Sequence, residues 1–204
     1  MQITTVSDFR KDIKSYLDRV TKNFETLIIN RGKNSGIVVM SLQEYNSISK
    51  ALSANFIHKW QVANDEDKVI YRDVGLNPPE FISQEWIAAV FTPDERKTDE
   101  QKNLLTLSDT LIEEVAQANI IVISSPMYNY GMPAVLKAWF DQVIRINKTF
   151  SFDLARGDFP IEPIMSGKKL VLITSSGEFG FEIGGIREKM NHLGQSKLIC
   201  LLKL

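Results

Sequence analysis

Apolar residues recur along this chain with two periods, and the change from one to the other divides it. Phe9, Ile13, Tyr16, Leu17 and Val20 stand three and four apart, which predicts an amphipathic helix with Ser7 as its N-cap. Thr26–Asn30 and Gly36–Met40 are short apolar runs, read as two strands of a hairpin joined through Arg31-Gly32-Lys33-Asn34-Ser35. Ser41, with Glu44 three residues later, forms a capping box. Leu42, Tyr45, Ile48, Leu52, Phe56 and Trp60 carry the helix it opens to the neighbourhood of Ala63.

Beyond that point strands and helices alternate. Lys68–Val74 predicts a strand, broken by Asn77-Pro78-Pro79. Ser83–Phe91 predicts a short helix. Thr98–Gln117 predicts a longer one, with Leu104, Leu107, Leu111, Ile112 and Val115 on its inner face. Asn119–Ser125 carries the unbroken apolar run Ile120–Ile123, the composition of a strand covered on both faces. Pro133 opens a helix at its first position, with Val135, Leu136, Trp139, Phe140 and Val143 turned inward. Lys169–Thr174 is a second buried strand, followed by a glycine-rich loop that runs through Gly185. Short strand–helix units of this kind predict an α/β fold built on a parallel, doubly wound sheet.

Composition removes several classes of function. The 204 residues are 44% hydrophobic and 24% charged, as in an ordinary globular protein. The single cysteine, Cys200, excludes a disulfide framework, and two histidines, His58 and His192, offer no His-rich metal site. Met1–Arg10 is polar with no apolar stretch after it, and no apolar run approaches the ~20 residues of a membrane span. These features predict a reduced, cytoplasmic protein with no membrane partner. The net charge of −1 conceals an asymmetry: residues 1–50 carry eight Lys/Arg against five Asp/Glu, a net of +3, which leaves −4 on the rest. A basic head suits nucleic-acid contact, and it equally suits a solvated amphipathic helix.

The residues richest in chemistry are Ser124-Ser125-Pro126-Met127-Tyr128-Asn129-Tyr130-Gly131-Met132-Pro133. They follow a buried strand and precede a helix, at the carboxyl edge where open α/β sheets bind ligands. Backbone amides and aromatic faces there suit a flat heterocycle. Thr174-Ser175-Ser176-Gly177-Glu178-Phe179-Gly180 leaves the next strand at the same edge. On chemistry alone the two loops are either a ligand cleft or two structural strand-to-helix turns. No Cys/His set or carboxylate pair offers itself as catalytic.

SSPMYNYGMPAVLKAWFDQVIR, with SGKKLVLITSSGEFG downstream, resembles the FMN-dependent NADH-azoreductase and NAD(P)H:quinone oxidoreductase family. SISKALSANFIHKW, VIYRDVGLNPPEFISQEWIAAVF and LSDTLIEEVAQANIIVISSPMYN agree with it, so the resemblance covers residues 47–193. It implies a flavodoxin-like parallel sheet with helices on both faces and a noncovalent FMN. It also implies hydride transfer from NAD(P)H through the flavin to a quinone or azo acceptor. By the same motif, Met127, Tyr128, Asn129 and Tyr130 contact the isoalloxazine, and Ser175, Ser176 and Gly177 line its other side. A protein that positions and tunes a flavin needs no catalytic side-chain set of its own.

Residues 1–52 resemble a different family. ITTVSDFRKDIKSYLDRV followed by TLIINRGKNSGIVVMSLQEYNSI is similar to the Phd/YefM antitoxins. That likeness implies a dimeric αββα head that binds operator DNA, with Arg10 and Arg31 as its DNA contacts, and a toxin partner. The flexible toxin-wrapping tail of that family has no counterpart, because a folded α/β body follows.

The two patterns meet over Gly36–Ser53. Laid on the oxidoreductase pattern, Ile37–Met40 falls at its first strand, and Ser41, Ser47 and Ser49 fall at its phosphate loop. Laid on the antitoxin pattern, the same residues are a strand and a capped helix. The capping box and the helical spacing favour the helix, and a helix over 42–49 leaves no loop to cradle a phosphate. The expected organisation is a head at 1–52, an oxidoreductase body at 53–193 and an unmatched tail at 194–204 in which Cys200 is a buried small hydrophobe. The chain is expected to act as a homodimeric flavin oxidoreductase. The alternative is an antitoxin-type, DNA-binding autorepressor carrying the α/β body as a passenger.

Overall fold

The computed structural model describes residues 2–23, 27–32, 35–39 and 42–194, which fall into two compact units, Met1–His58 and Lys59–Leu204. Ser41, the residues of the expected tail from 195 onward and Cys200 lie outside the described residues, as do the side chains of Arg31 and Ser47.

The first unit opens with a strand the sequence pattern did not predict, β1 (Gln2–Thr5). It pairs in parallel with β2 (Leu27–Gly32), which pairs antiparallel with β3 (Ser35–Val39). Both hairpin strands run further toward the connection than expected, since Gly32 and Ser35 are themselves paired. The single predicted helix is two: α1 (Val6–Lys11) and α2 (Ile13–Lys22). Thr5, not Ser7, caps the first, its hydroxyl accepting from the Asp8 N–H at 3.2 Å. The break falls at Asp12, whose backbone leaves the helical region and whose carboxylate accepts from the Ser15 N–H at 3.1 Å. One Asx cap thus ends one helix and starts the next without proline or glycine. Val20, Leu27 and Ile29 form the core, with Val6, Phe9, Tyr16 and Val39 packed on it. The long helix α3 (Leu42–Ala63) follows.

In the second unit α4 (Gln84–Phe91) and α5 (Asp99–Gln117) precede the strand β4 (Ile120–Pro126), and α6 (Ala134–Val143) follows it. Thr98 caps α5 in a complete capping box with Gln101, and Ser83 caps α4. Pro133 stands one residue outside α6, so the helix proper begins at Ala134. A short antiparallel pair that the sequence did not announce, β5 (Phe150–Phe152) with β6 (Ile161–Pro163), leads into β7 (Lys169–Ser175). β4 and β7 run parallel, in register from Ile120 opposite Lys169 to Pro126 opposite Ser175.

Leu111, Val115, Ile121, Ile123, Leu136, Trp139, Phe140 and Val143 form the body's main core, and Phe140 and Val143 are almost wholly sealed. Each such side chain contributes roughly 1.5–3 kcal/mol through removal from water. Burial along β4 alternates, with Ile121, Ile123 and Ser125 buried and Ser124 exposed, so its two faces are not equally covered as its composition had suggested. On α5 the inner face also differs from expectation. Leu104 is exposed, while Leu105 and Ser108 are buried, Ser108 donating to the Gln142 carbonyl at 2.6 Å.

Lys68–Val74 is not a strand: no ladder includes it, and Ile70 and Tyr71 are exposed. The reason lies in strand order. In a flavodoxin-like sheet, ordered 2-1-3-4-5, the second strand pairs only with the first. Here the residues expected at the first strand belong to β3, in the other unit. The stretch is still held to the body, by a two-pronged Arg72–Glu114 pair onto α5 and by Val74 against the main core. That pair raises the Arg72 pKa through its hydrogen bond to Glu114.

Candidate flavin site

Parallel strands end with their carbonyl groups and following loops at one edge, so the chains leaving β4 and β7 emerge side by side. A main-chain bond closes the gap between them: the Met127 N–H donates to the Ser175 carbonyl at 2.8 Å. The first loop then folds back at once. The Tyr128 N–H donates to the Gly131 carbonyl at 2.9 Å, and the Gly131 N–H returns to the Tyr128 carbonyl at 2.8 Å. Both central residues are left-handed, Asn129 at φ 47° and Tyr130 at φ 64°, the signature of a primed two-residue turn. Asparagine accepts that conformation readily. A tyrosine there is costly, and surrounding contacts must hold it.

Those contacts come from the segment after β7. The His192 N–H donates to the Tyr130 carbonyl at 2.9 Å, and the Phe181 ring lies 6.0 Å from the Tyr130 ring in a tilted pair. Residues 180–194 form a strap that starts at the second loop and ends on the first. Within it the Asn191 amide donates to the Phe181 carbonyl at 3.2 Å. The Gly185 N–H donates to the Glu182 carbonyl, and the Arg187 N–H to the Gly180 carbonyl. Gly185 sits so close to Gly180 that a Cβ would stand 2.4 Å from that carbonyl oxygen.

Along the second loop Ser176 and Gly177 are exposed, the Ser176 hydroxyl donates to the Glu178 carbonyl at 2.7 Å, and a Cβ at Gly177 would meet nothing within 4 Å. An open backbone edge therefore stands beside a tight turn presenting Asn129 and Tyr130, both exposed. Met127, Tyr128 and Ser175 sit half-buried at the junction. This geometry joins the two loops that carry the seven residues assigned to the ring, and its exposed main chain and aromatic face suit a planar heterocycle. Sequence reasoning did not find Phe181, Arg187, Asn191 or the backbone role of His192. Only the glycines at 180, 184 and 185 hinted that the segment turns back.

The residues assigned to the phosphate end are placed otherwise. Ser47 and Ser49 lie on α3, and Ser49 is 2% exposed, on a helix rather than in a strand-to-helix loop. The described residues therefore fit the ring end of a flavin and hold no cradle for its phosphate. Arg10, one of the two residues assigned to DNA, is exposed in the last turn of α1, and Arg31 falls in β2. Among the described residues no cluster of three or more His, Cys, Asp or Glu is placed to hold a metal, and no helix is long and apolar enough to cross a membrane.

A family profile described as a flavodoxin-like fold matches residues 33–198. The FMN-dependent NADH:quinone oxidoreductase 2 of Colwellia psychrerythraea is 82% identical over 152 residues, which cover 74% of this chain and 69% of that protein. The chain belongs to the flavodoxin-like FMN-dependent NADH:quinone oxidoreductase family. Its relative of the same description in Idiomarina loihiensis is 65% identical over 150 residues, covering 74% of this chain and 62% of that one. The chain thus spans about two thirds of the length of these two relatives.

Solved azoreductases share the fold. One from Bacillus anthracis superposes with a TM-score of 0.66 at 19% identity, covering 76% of this chain and 74% of that one. An FMN-dependent NADH-azoreductase from the same species, solved in complex with FMN, gives 0.51 at 14% identity, covering 100% of this chain and 81% of that one. A second profile, described as the Phd_YefM antitoxin of type II toxin–antitoxin systems, matches residues 1–55. The oxidoreductase-family match begins at residue 33, so residues 33–55 satisfy both patterns, and the structure gives Ser35–Val39 to the antitoxin-like hairpin.

Proposed function

We propose that the chain is a flavin-dependent NAD(P)H oxidoreductase that passes reducing equivalents to a quinone or azo acceptor, with its loops after β4 and β7 as the seat of the isoalloxazine ring. The observation that carries this is the Met127–Ser175 main-chain bond, which joins the two ring-side loops at one sheet edge. The 82% identical relative supports the activity. FMN, when bound, supplies the hydride-accepting and hydride-donating chemistry. The protein contributes placement: Met127–Tyr130 on one side of the ring, and Ser175, Ser176 and Gly177 on the other. Serines 41, 47 and 49 fall at the phosphate positions of the family's pattern, and Ser47 and Ser49 stand on a helix that offers no strand-to-helix loop.

The test follows from that imbalance. A flavin gripped by its ring alone binds with or without its phosphate, so FMN and riboflavin should quench with dissociation constants within about threefold of each other, less than one charge-assisted hydrogen bond discriminates. Reduction of a quinone by NADH or NADPH should accompany binding. No quenching by either flavin at tens of micromolar would remove the assignment. Strong preference for FMN would instead show that a phosphate loop forms.

A second reading concerns the first unit alone. Its match to the antitoxin pattern and the exposed Arg10 favour operator DNA as a partner, with a homodimer as the binding form and a toxin as a further partner. A salt-sensitive gel shift on DNA upstream of its own gene, weakened by Arg10→Ala, is the expected result. An unchanged shift in that variant argues against the contact. Cytoplasmic placement belongs with either reading.

A further inference from the structure

We propose that Arg187 is a positioning residue for the ring-side loop, holding Ser175–Gly177 in a receptive form through Glu178 and Phe179. The inference rests on the flavin reading above. One guanidinium grips two consecutive loop residues: its Nε lies 2.7 Å from Glu178 Oε2, and its Nη1 donates to the Phe179 carbonyl at 3.0 Å. The guanidinium carbon stands 5.2 Å over the centroid of the Phe179 ring. The backbone of Arg187 adds its N–H to the Gly180 carbonyl at 2.7 Å. Only arginine presents a rigid planar fork that can pair with a carboxylate, reach a carbonyl and stack on a ring at once.

Phe179 is 76% exposed, so apolar packing does not fix it, and the guanidinium is what orders this part of the loop. The order passes on through the Ser176 hydroxyl, which donates to the Glu178 carbonyl at 2.7 Å and so ties Ser176 and Gly177 to the gripped residues. It also passes to the first loop, because the strap that carries Arg187 ends in the His192 bond to Tyr130. The ion pair is partly exposed, with side chains 28% and 48% accessible. Such a pair is too weak to hold a fold and strong enough to choose among loop conformations.

The test uses the full chain and three variants: Arg187→Met, Arg187→Lys and Glu178→Gln. Hydrogen exchange of the bonded amides at positions 127, 187 and 192 is read first, in the flavin-free protein, together with the global unfolding midpoint. Arg187→Met should speed that exchange by about tenfold with the midpoint unchanged, and Arg187→Lys, which keeps the charge but not the fork, should recover part of the protection. Glu178→Gln should give an intermediate effect. FMN titration by fluorescence quenching follows, with about tenfold weaker binding expected in Arg187→Met and an altered visible spectrum of what does bind. Unchanged exchange at positions 127, 187 and 192 in Arg187→Met overturns the proposal whether or not flavin binds. Faster exchange with unchanged FMN affinity and spectrum overturns it too, since the loop's order would then not matter to the ring. If the unaltered chain binds no flavin, the functional reading fails separately, and the exchange experiment still decides whether Arg187 holds the loop.

Discussion

Three glycines after β7 meet different surroundings, so alanine at each perturbs one thing at a time. At Gly177 the added methyl enters open space. At Gly184 it also meets nothing within 4 Å, but the backbone is left-handed at φ 82°, which costs an alanine about 1 kcal/mol. At Gly185 the methyl would stand 2.4 Å from the Gly180 carbonyl oxygen and 2.7 Å from its carbon, both main-chain atoms that cannot rotate away. Overpacking of that kind costs about 1–3 kcal/mol. The costs fall on residues 181–190 of the strap, all exposed or half-buried and none in the main core; Leu193, buried near its end, lies beyond them. The strap can therefore open without unfolding the body, and the penalty appears as local exchange.

Hydrogen exchange over 180–193 should accelerate least in Gly177→Ala and roughly 5- to 150-fold in Gly185→Ala, the population change that 1–3 kcal/mol produces, with Gly184→Ala between them. The denaturation midpoint, followed by tryptophan fluorescence, should stay close to that of the unaltered chain in all three. Gly177→Ala alone should lower FMN affinity with its strap intact, because its backbone edge faces the proposed ring. A Gly185→Ala protein whose strap exchanges as slowly as the parent would refute the reasoning, and so would one whose whole body loses stability.

Phe140→Ala empties a site only 1% exposed, and chemical denaturation should show a loss of about 3–5 kcal/mol. Asp12→Ala removes the cap between α1 and α2 and should cost about 1 kcal/mol, read as lost helical signal and a lower midpoint for the first unit. The Glu100 carboxyl is held below its usual 4.5, first by its own backbone N–H and then by the Thr98 hydroxyl. A depressed carboxylate stabilises the fold fully above 4.5 and loses that contribution as pH falls through its lower folded value. Glu100→Gln should therefore flatten the acid limb of the stability curve below that pH. An acid limb as steep as the parent's would show that the α5 cap does not depend on this charge.

Much of the body was readable because its apolar pattern serves one buried face. Leu136, Trp139, Phe140 and Val143 recur with the helical period and all end in the core. α5 was harder, since it packs on both α4 and α6 and so buries Ser108, a polar residue that periodicity assigns to solvent. Lys68–Val74 shows the limit of pattern: it has the composition of a strand, but strandhood also needs a neighbour, and that depends on which unit holds Ser35–Val39. The ring-side residues were legible as a motif. Their supports were not, because Tyr130 gives no sign of a left-handed backbone and Arg187 reads as one more surface cation until the strap folds back.

The double claim on residues 33–55 also bears on folding order. The hairpin of β2 and β3 closes across the two residues between Gly32 and Ser35, whereas β4 and β7 must join across the whole stretch from Pro126 to Lys169. Short closures form in microseconds and long parallel pairings later, and the N-terminal unit leaves the ribosome first. Ser35–Val39 is thus expected to pair in its hairpin before the parallel strands form, so that the chain's history, as well as its energetics, bears on which sheet that segment joins.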